Sequence, residues 1–265
     1  MKFIRLRFFH QRYQLGLLLG LIIIVIHICL GQIPDTEYLN GVRINHVAIF
    51  EWIGFDLNMV FPNFFYLVLP ILCSLGPSLA ITEDLKSGFA SRMTQFSFRR
   101  YLIGNLGISF LWGAFTVIIP LLIDCLTALW LFPNVTPNLI ASYGLEIVPG
   151  LTYGAKLFYQ QPFLLVLGYI ILGGITGGIY ALISVLSGII SRNLYLAAST
   201  PLILVTIVTL ISNVFPKFIY SPTYIMMPSS QKSIPPLNIV CVIYSLIIVG
   251  LIGGIWNEFK HKIVI

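Results

Sequence analysis

Six stretches of this 265-residue chain are apolar for long enough to cross a bilayer, and the connections between them leave no room for a separate soluble domain. A hydrocarbon core needs roughly 17 to 25 mostly apolar residues in helical form. The runs near 15–31, 61–81, 102–131, 163–190, 194–215 and 239–256 meet that requirement. The expected fold is therefore an all-α membrane protein, a bundle of six transmembrane helices forming a single domain over residues 1–265. Composition agrees: 58% of residues are hydrophobic and 9% charged, whereas soluble domains carry roughly 25% charged residues.

In a membrane protein the net charge of +6 is read by location, because Lys and Arg collect on cytoplasmic loops. With the N-terminus inside, the inner segments hold Lys2, Arg5, Arg7, Arg12, Lys86, Arg92, Arg99, Arg100, Arg192, Lys260 and Lys262. Arg43, Lys156, Lys217 and Lys232 fall outside. Eleven against four predicts cytoplasmic termini and a multi-pass protein of the cell membrane, with no call for nucleic acid as the basic partner. The excess of Ile over Ala points to an AT-rich bacterial source.

A basic region precedes the first apolar run as in a secretory signal, but no A-x-A-like site follows, so the run is expected to be retained. Phe3, Leu6, Phe8 and Phe9 interleave with Arg5, Arg7 and Arg12 in a pattern that suggests an interfacial helix leading into the membrane. The outer connections 32–60 and 132–162 exceed ordinary loop length and are expected to contain local helix or lie on the membrane face. The stretch 216–238 has five prolines among Tyr220, Tyr224, Met226 and Met227, which fits either a structured cap or a Pro-rich loop.

Catalytic signatures are absent. No G-x-x-x-x-G-K-[ST] phosphate loop occurs, so the chain has no ATP site of its own. His10, His27, His46 and His261 are scattered, which argues against a metal centre. Ser187 has no histidine partner at similar depth, and Cys29, Cys73, Cys125 and Cys241 read as small apolar side chains within spans.

Gly173, Gly174, Gly177 and Gly178 form two overlapping small-xxx-small pairs, and Gly250 with Gly254 forms another. Such pairs let helix backbones approach closely, or permit sliding during a transport cycle. Asp124 is the ionisable residue set well inside a span, at an insertion cost of about 2.5 to 3.5 kcal/mol against a gain of about 0.3 to 0.6 for each Leu, Ile or Phe. It must face protein or water, either bonded to a neighbouring helix or serving substrate passage or subunit contact.

The residues between the second and third runs carry the functional clue. Six of the 24 charged side chains fall in 82–101, and at 100° per residue Leu85, Phe89, Met93 and Phe96 form one stripe while Glu83, Asp84, Ser87, Ser91 and Thr94 face away. A short amphipathic helix at the membrane surface is expected there.

This arrangement resembles the membrane permease subunits of type-2 ABC transporters. The shared features are six spans, cytoplasmic termini, a lead-in to the first span, and the acidic-then-glycine segment Glu83-Asp84-x-x-x-Gly88 followed by Arg92, Arg99, Arg100 and Tyr101. The resemblance implies a cytoplasmic coupling helix in which Glu83, Asp84, Gly88 and Arg92 dock on a separate ATPase subunit that binds ATP and Mg. Leu85, Phe89, Met93, Phe96, Arg99 and Arg100 then anchor it to the membrane and its lipids. The implied function is an exporter permease, paired with a second permease chain as a homo- or heterodimer, moving an amphiphilic peptide, lipid or drug. A membrane carrier or substrate-capture protein that uses no ATP is the alternative class, with an intramembrane enzyme behind it. Single cysteines at Ser91, Ser142 and Ser229 test the orientation: an impermeant thiol reagent is expected to label the last two from outside and spare Ser91, and outside labelling of Ser91 contradicts it.

Overall fold

The computed structural model describes residues 11–39, 47–56, 60–135, 147–215, 220–230 and 232–263, with the backbone alone at 11, 12, 38, 39, 93–98, 230 and 261–263. The expected interfacial segment at the N-terminus lies outside the described residues. Among the described residues six helices are long and apolar enough to cross a membrane: Tyr13–Asp35, Val60–Lys86, Arg99–Leu131, Pro162–Ser191, Leu194–Val214 and Leu237–Lys260. They are called spans one to six. All regular structure among the described residues is helical, and the chain is a multi-pass membrane protein.

Spans two, three and four form the interior, with 67%, 56% and 61% of their most apolar stretch buried against 28%, 17% and 17% in spans one, five and six. Lipid tails are as apolar as Leu, so helices in a bilayer associate through close packing rather than through the hydrophobic effect. The seam between spans three and four follows that rule. A Cβ at Gly177 would stand 2.5 Å from the Gly113 carbonyl oxygen and 2.6 Å from Val117 Cγ2, and one at Gly173 would stand 3.1 Å from Val117 Cγ1. At Gly174 it would stand 2.5 Å from Ile118 Cδ1, and at Gly178 it would strike the Phe110 ring. Close packing against span three is thus what these four glycines do. The expectation fails for Gly250 and Gly254: no atom lies within 4 Å of a Cβ at the first, and the second meets only Leu186 at 3.6 Å. The spacing there is small-xxx-small, but no helix faces it closely.

The segment 82–101, expected as one short helix, is helical in two pieces that meet at a turn over Ser87 and Gly88, here called the hairpin. The helix of span two runs through Lys86, and the next starts at Phe89 and continues unbroken for 43 residues to Leu131. The Phe89 and Tyr101 rings lie 6.4 Å apart, whereas twelve residues of straight helix rise about 18 Å, so this helix bends before it enters span three. Gly88 sits in the turn with φ +68°, a left-handed conformation open to glycine at little cost. Leu85 and Phe89 therefore belong to different helices, and the side chains of Met93 and Phe96 lie outside the described residues. The apolar periodicity was continuous across a residue that reverses the chain. Tyr101 closes the hairpin by donating to Asp84 Oδ2 at 2.5 Å, and its ring packs on Phe259 of span six at 5.7 Å.

At the opposite end, the connections fold onto the bundle. Span one continues through a π-helical turn, Ile28–Gln32, before a short helix at Ile33–Asp35. Residues 47–56, including the turn of helix Ala48–Glu51, insert Trp52, Ile53 and Phe55 into the core with 1% exposure or less. The Pro-rich stretch forms a structured cap, Pro222–Met226 followed by Pro228–Ser230, with Ile225, Met226 and Met227 buried. Ser229 is fully buried in that cap, so the exposed Lys232 replaces it as a labelling position.

The glycine seam gives a direct stability test. Gly177→Ala is expected to cost about 1 to 3 kcal/mol through overpacking, seen as a lower thermal midpoint in detergent. Gly250→Ala, with open space around it, is expected to leave the midpoint unchanged or raise it slightly; equal loss in both variants contradicts the seam.

Candidate functional site

Asp124 lies toward the end of span three remote from the hairpin, is fully buried, and has three donors aimed at its carboxylate. His27 Nδ1 is 2.7 Å from Oδ1, Gln32 Nε2 is 3.0 Å from the same oxygen, and the backbone N–H of Ile53 reaches Oδ2 at 2.7 Å. An ionised carboxylate only accepts, so the histidine proton sits on Nδ1. The second ring nitrogen, Nε2, faces Asp56 Oδ2 at 3.5 Å. One imidazole thus lies between two carboxylates, with His27 at 2% exposure and Asp56 at 8%.

Local backbone geometry makes this possible. In a regular helix of 3.6 residues per turn, residues five apart stand about 140° apart around the axis. The π-helical turn Ile28–Gln32 widens span one so that Gln32 returns to the face of His27. Gln32 Nε2 then bridges span three and the inserted segment, reaching the Asp124 and Glu51 carbonyls at 3.3 and 3.1 Å. Trp52 Nε1 donates to the Leu121 carbonyl at 3.2 Å. The Phe61 ring meets His27 edge-on at 5.3 Å, and Phe55 packs on Phe158 at 5.3 Å, which keeps the cluster dry. Gln32 Oε1 and the Tyr66 hydroxyl are buried without a partner among the described residues.

Removing one partner of a buried ion pair costs about 3 to 5 kcal/mol, because the other charge stays behind without its counter-ion. The cluster therefore ties span one, span three and residues 47–56 into one unit. It holds a proton at a defined atom, but no nucleophile stands at the histidine. His27, Asp56 and Asp124 do not converge on a common point, since the imidazole separates the carboxylates, and no metal-binding group of three such ligands occurs among the described residues.

Sequence reasoning found Asp124 and missed its partners. His27 read as an isolated residue in an apolar run; the usable signal was an ionisable side chain at the same membrane depth as Asp124. Gln32, Asp56 and the Ile53 N–H carried no sequence signal, because a π-turn and a folded-back loop bring them in.

A second feature lies on the flank of the bundle. Spans four, five and six enclose an apolar groove of about 610 Å³ whose walls include Ile183, Leu186, Leu204 and Val208. Four of its hydroxyls are paired within the wall, Ser187 with Thr200 at 2.7 Å and Thr176 with Tyr244 at 3.2 Å, while the hydroxyl of Tyr180, which also lines the groove, is buried without a partner among the described residues. Next to it, burial pushes the Tyr153 hydroxyl above the usual tyrosine range, so it stays a neutral donor, 2.7 Å from the Pro235 carbonyl.

The hairpin lies at the end of the bundle remote from Asp124, where Thr82 packs on Gly188 beside the groove residues Ser187 and Ile190. Glu83, Lys86, Arg92, Arg99 and Arg100 are exposed, whereas Asp84 is half-buried against Tyr101. No family model, no curated protein and no solved structure matches this chain. Function therefore has to come from the cluster, the groove and the hairpin themselves.

Asp124→Leu strands the His27 and Gln32 donors and the Ile53 N–H, and is expected to lose about 3 to 5 kcal/mol of stability. Asp124→Asn keeps acceptor capacity and is expected to insert normally with a smaller loss. Chemical denaturation in detergent compares them, and equal stability of wild type and both variants reduces Asp124 to an incidental polar residue.

Proposed function

We propose that this chain is the permease subunit of an ATP-driven exporter, working with a separate ABC-type ATPase and a second permease chain to move an amphiphilic peptide, lipid or drug. The observation that carries this reading is the exposed hairpin at Gly88, where the helices of two interior spans meet in one tight turn. A push on that turn reaches span two directly, and it reaches span three through the bent segment that the Asp84–Tyr101 bond ties back to span two. The positive-inside bias places the turn in the cytoplasm, on the side of an ATPase. The apolar groove suits the tail of an amphiphile, and ATP with Mg belongs to the motor, not to this chain.

In this reading Glu83 and Arg92 form the docking rim with Gly88 as the turn. Asp84 has a structural duty to Tyr101, so a clean test of docking leaves it alone. Arg99 and Arg100, exposed where the long helix enters the membrane, meet lipid phosphates. A second reading, a carrier that uses no ATP, draws on one observation: the cluster of His27, Asp124 and Asp56 puts titratable groups within the bundle.

Affinity purification from the native membrane is expected to bring down an ATPase subunit. Glu83→Lys with Arg92→Glu is expected to weaken that association at least tenfold without affecting insertion, because rim charges govern association and partner choice. Gly88→Val forces a β-branched residue to φ +68° and is expected to leave the ATPase bound but uncoupled from cargo. Failure to recover any ATPase, together with flux that follows an imposed pH gradient, supports the carrier instead.

A further inference from the structure

We propose that residues 47–56 are a lid over the end of spans one and three, latched by a single proton on His27. The inference does not depend on the transport reading. The lid meets the bundle through two kinds of contact. Trp52, Ile53 and Phe55 fill an apolar seat, and the Trp52 Nε1–H and Ala48 N–H donate to the Leu121 and Pro133 carbonyls. Two further links pass through the buried cluster: the Ile53 N–H on Asp124, and Asp56 facing His27. The first set does not change with pH over the physiological range. The second does.

With both ring nitrogens protonated, His27 donates to Asp124 through Nδ1 and presents a positive N–H to Asp56. When the Nε2 proton leaves, Nδ1–H keeps Asp124, and Nε2 turns a lone pair toward the Asp56 carboxylate. Attraction becomes repulsion between two acceptors in a largely buried site. The charge on Asp124 gains no relief, because its Gln32 and Ile53 donors are unchanged. Asp56 is the cluster member with 8% exposure, against 2% or less for the others, so the proton leaves past it and the strain falls on the lid.

The groups around His27 are accounted for element by element. Span three contributes Asp124, the lid Asp56 and span two the Phe61 ring, while Cys125 of span three and Tyr66 of span two lie near Asp124 and Tyr169 of span four lies near Tyr66. The two carboxylates are the charged groups acting on the imidazole. Asp56→Asn separates the latch from the rest, because an asparagine amide donates to a neutral Nε2 and needs no proton there.

Hydrogen exchange by mass spectrometry on the full chain in lipid nanodiscs, between pH 6 and 10 and corrected for intrinsic exchange, tests the latch. In wild type, protection of residues 48–56 is expected to fall at least tenfold as pH rises, while residues 173–178 in the interior seam stay protected. Asp56→Asn is expected to remain protected across the range, and Tyr66→Phe to keep the wild-type profile. A flat wild-type profile, the same alkaline loss in Asp56→Asn, or abolition of that loss by Tyr66→Phe overturns the proposal.

Discussion

A carboxylate held away from water inside a membrane protein has to be satisfied by the protein, and in this chain that demand organises one whole end of the bundle. Asp124 draws a histidine and a glutamine from span one and a backbone N–H from a connection that would otherwise lie on the membrane face. Each partner is paid for by a local irregularity: a π-turn for Gln32, and a folded-back segment for Ile53. The buried Trp52 and Phe55 then follow, since docking the Ile53 N–H brings their rings into the core.

The rest of the bundle rests on closeness of backbones. The glycines of span four bring it against span three at Gly113, and this seam leaves spans five and six to lie outside it. Their looser packing opens the apolar groove, in which Ser187 pairs with Thr200 and Thr176 with Tyr244, so that most of the wall is hydrocarbon. One end of the molecule is thus fixed by polar satisfaction and the middle by steric fit. The hairpin at Gly88 is held by a tyrosine and a carboxylate at the ends of spans three and two.

The spans were legible in the sequence because length and hydropathy suffice to place a helix in a bilayer. Asp124 was legible because its cost there is high, and the Gly173 to Gly178 cluster because small residues recur on one helix face. Three features were not. Gly88 looks like a residue within an amphipathic helix until its left-handed φ reverses the chain, since periodicity does not report backbone hand. Gly250 and Gly254 have the right spacing but no facing helix, a property of the partner rather than of the span. His27 was dismissed for want of a neighbour in sequence, and its neighbours arrive only by tertiary folding.

The central claim is that His27 and Asp124 stabilise the bundle as a pair rather than separately, and a double-mutant cycle on unfolding free energy tests it most directly. Each single change to Leu strands the other member of the pair, whereas the double change removes both and leaves only the Gln32 and Ile53 donors and Asp56, whose losses the single changes already include. The account predicts that the double variant is more stable than the sum of the two single losses implies, by about 2 kcal/mol or more. Losses that simply add, within about 0.5 kcal/mol, would show two independent residues and contradict it.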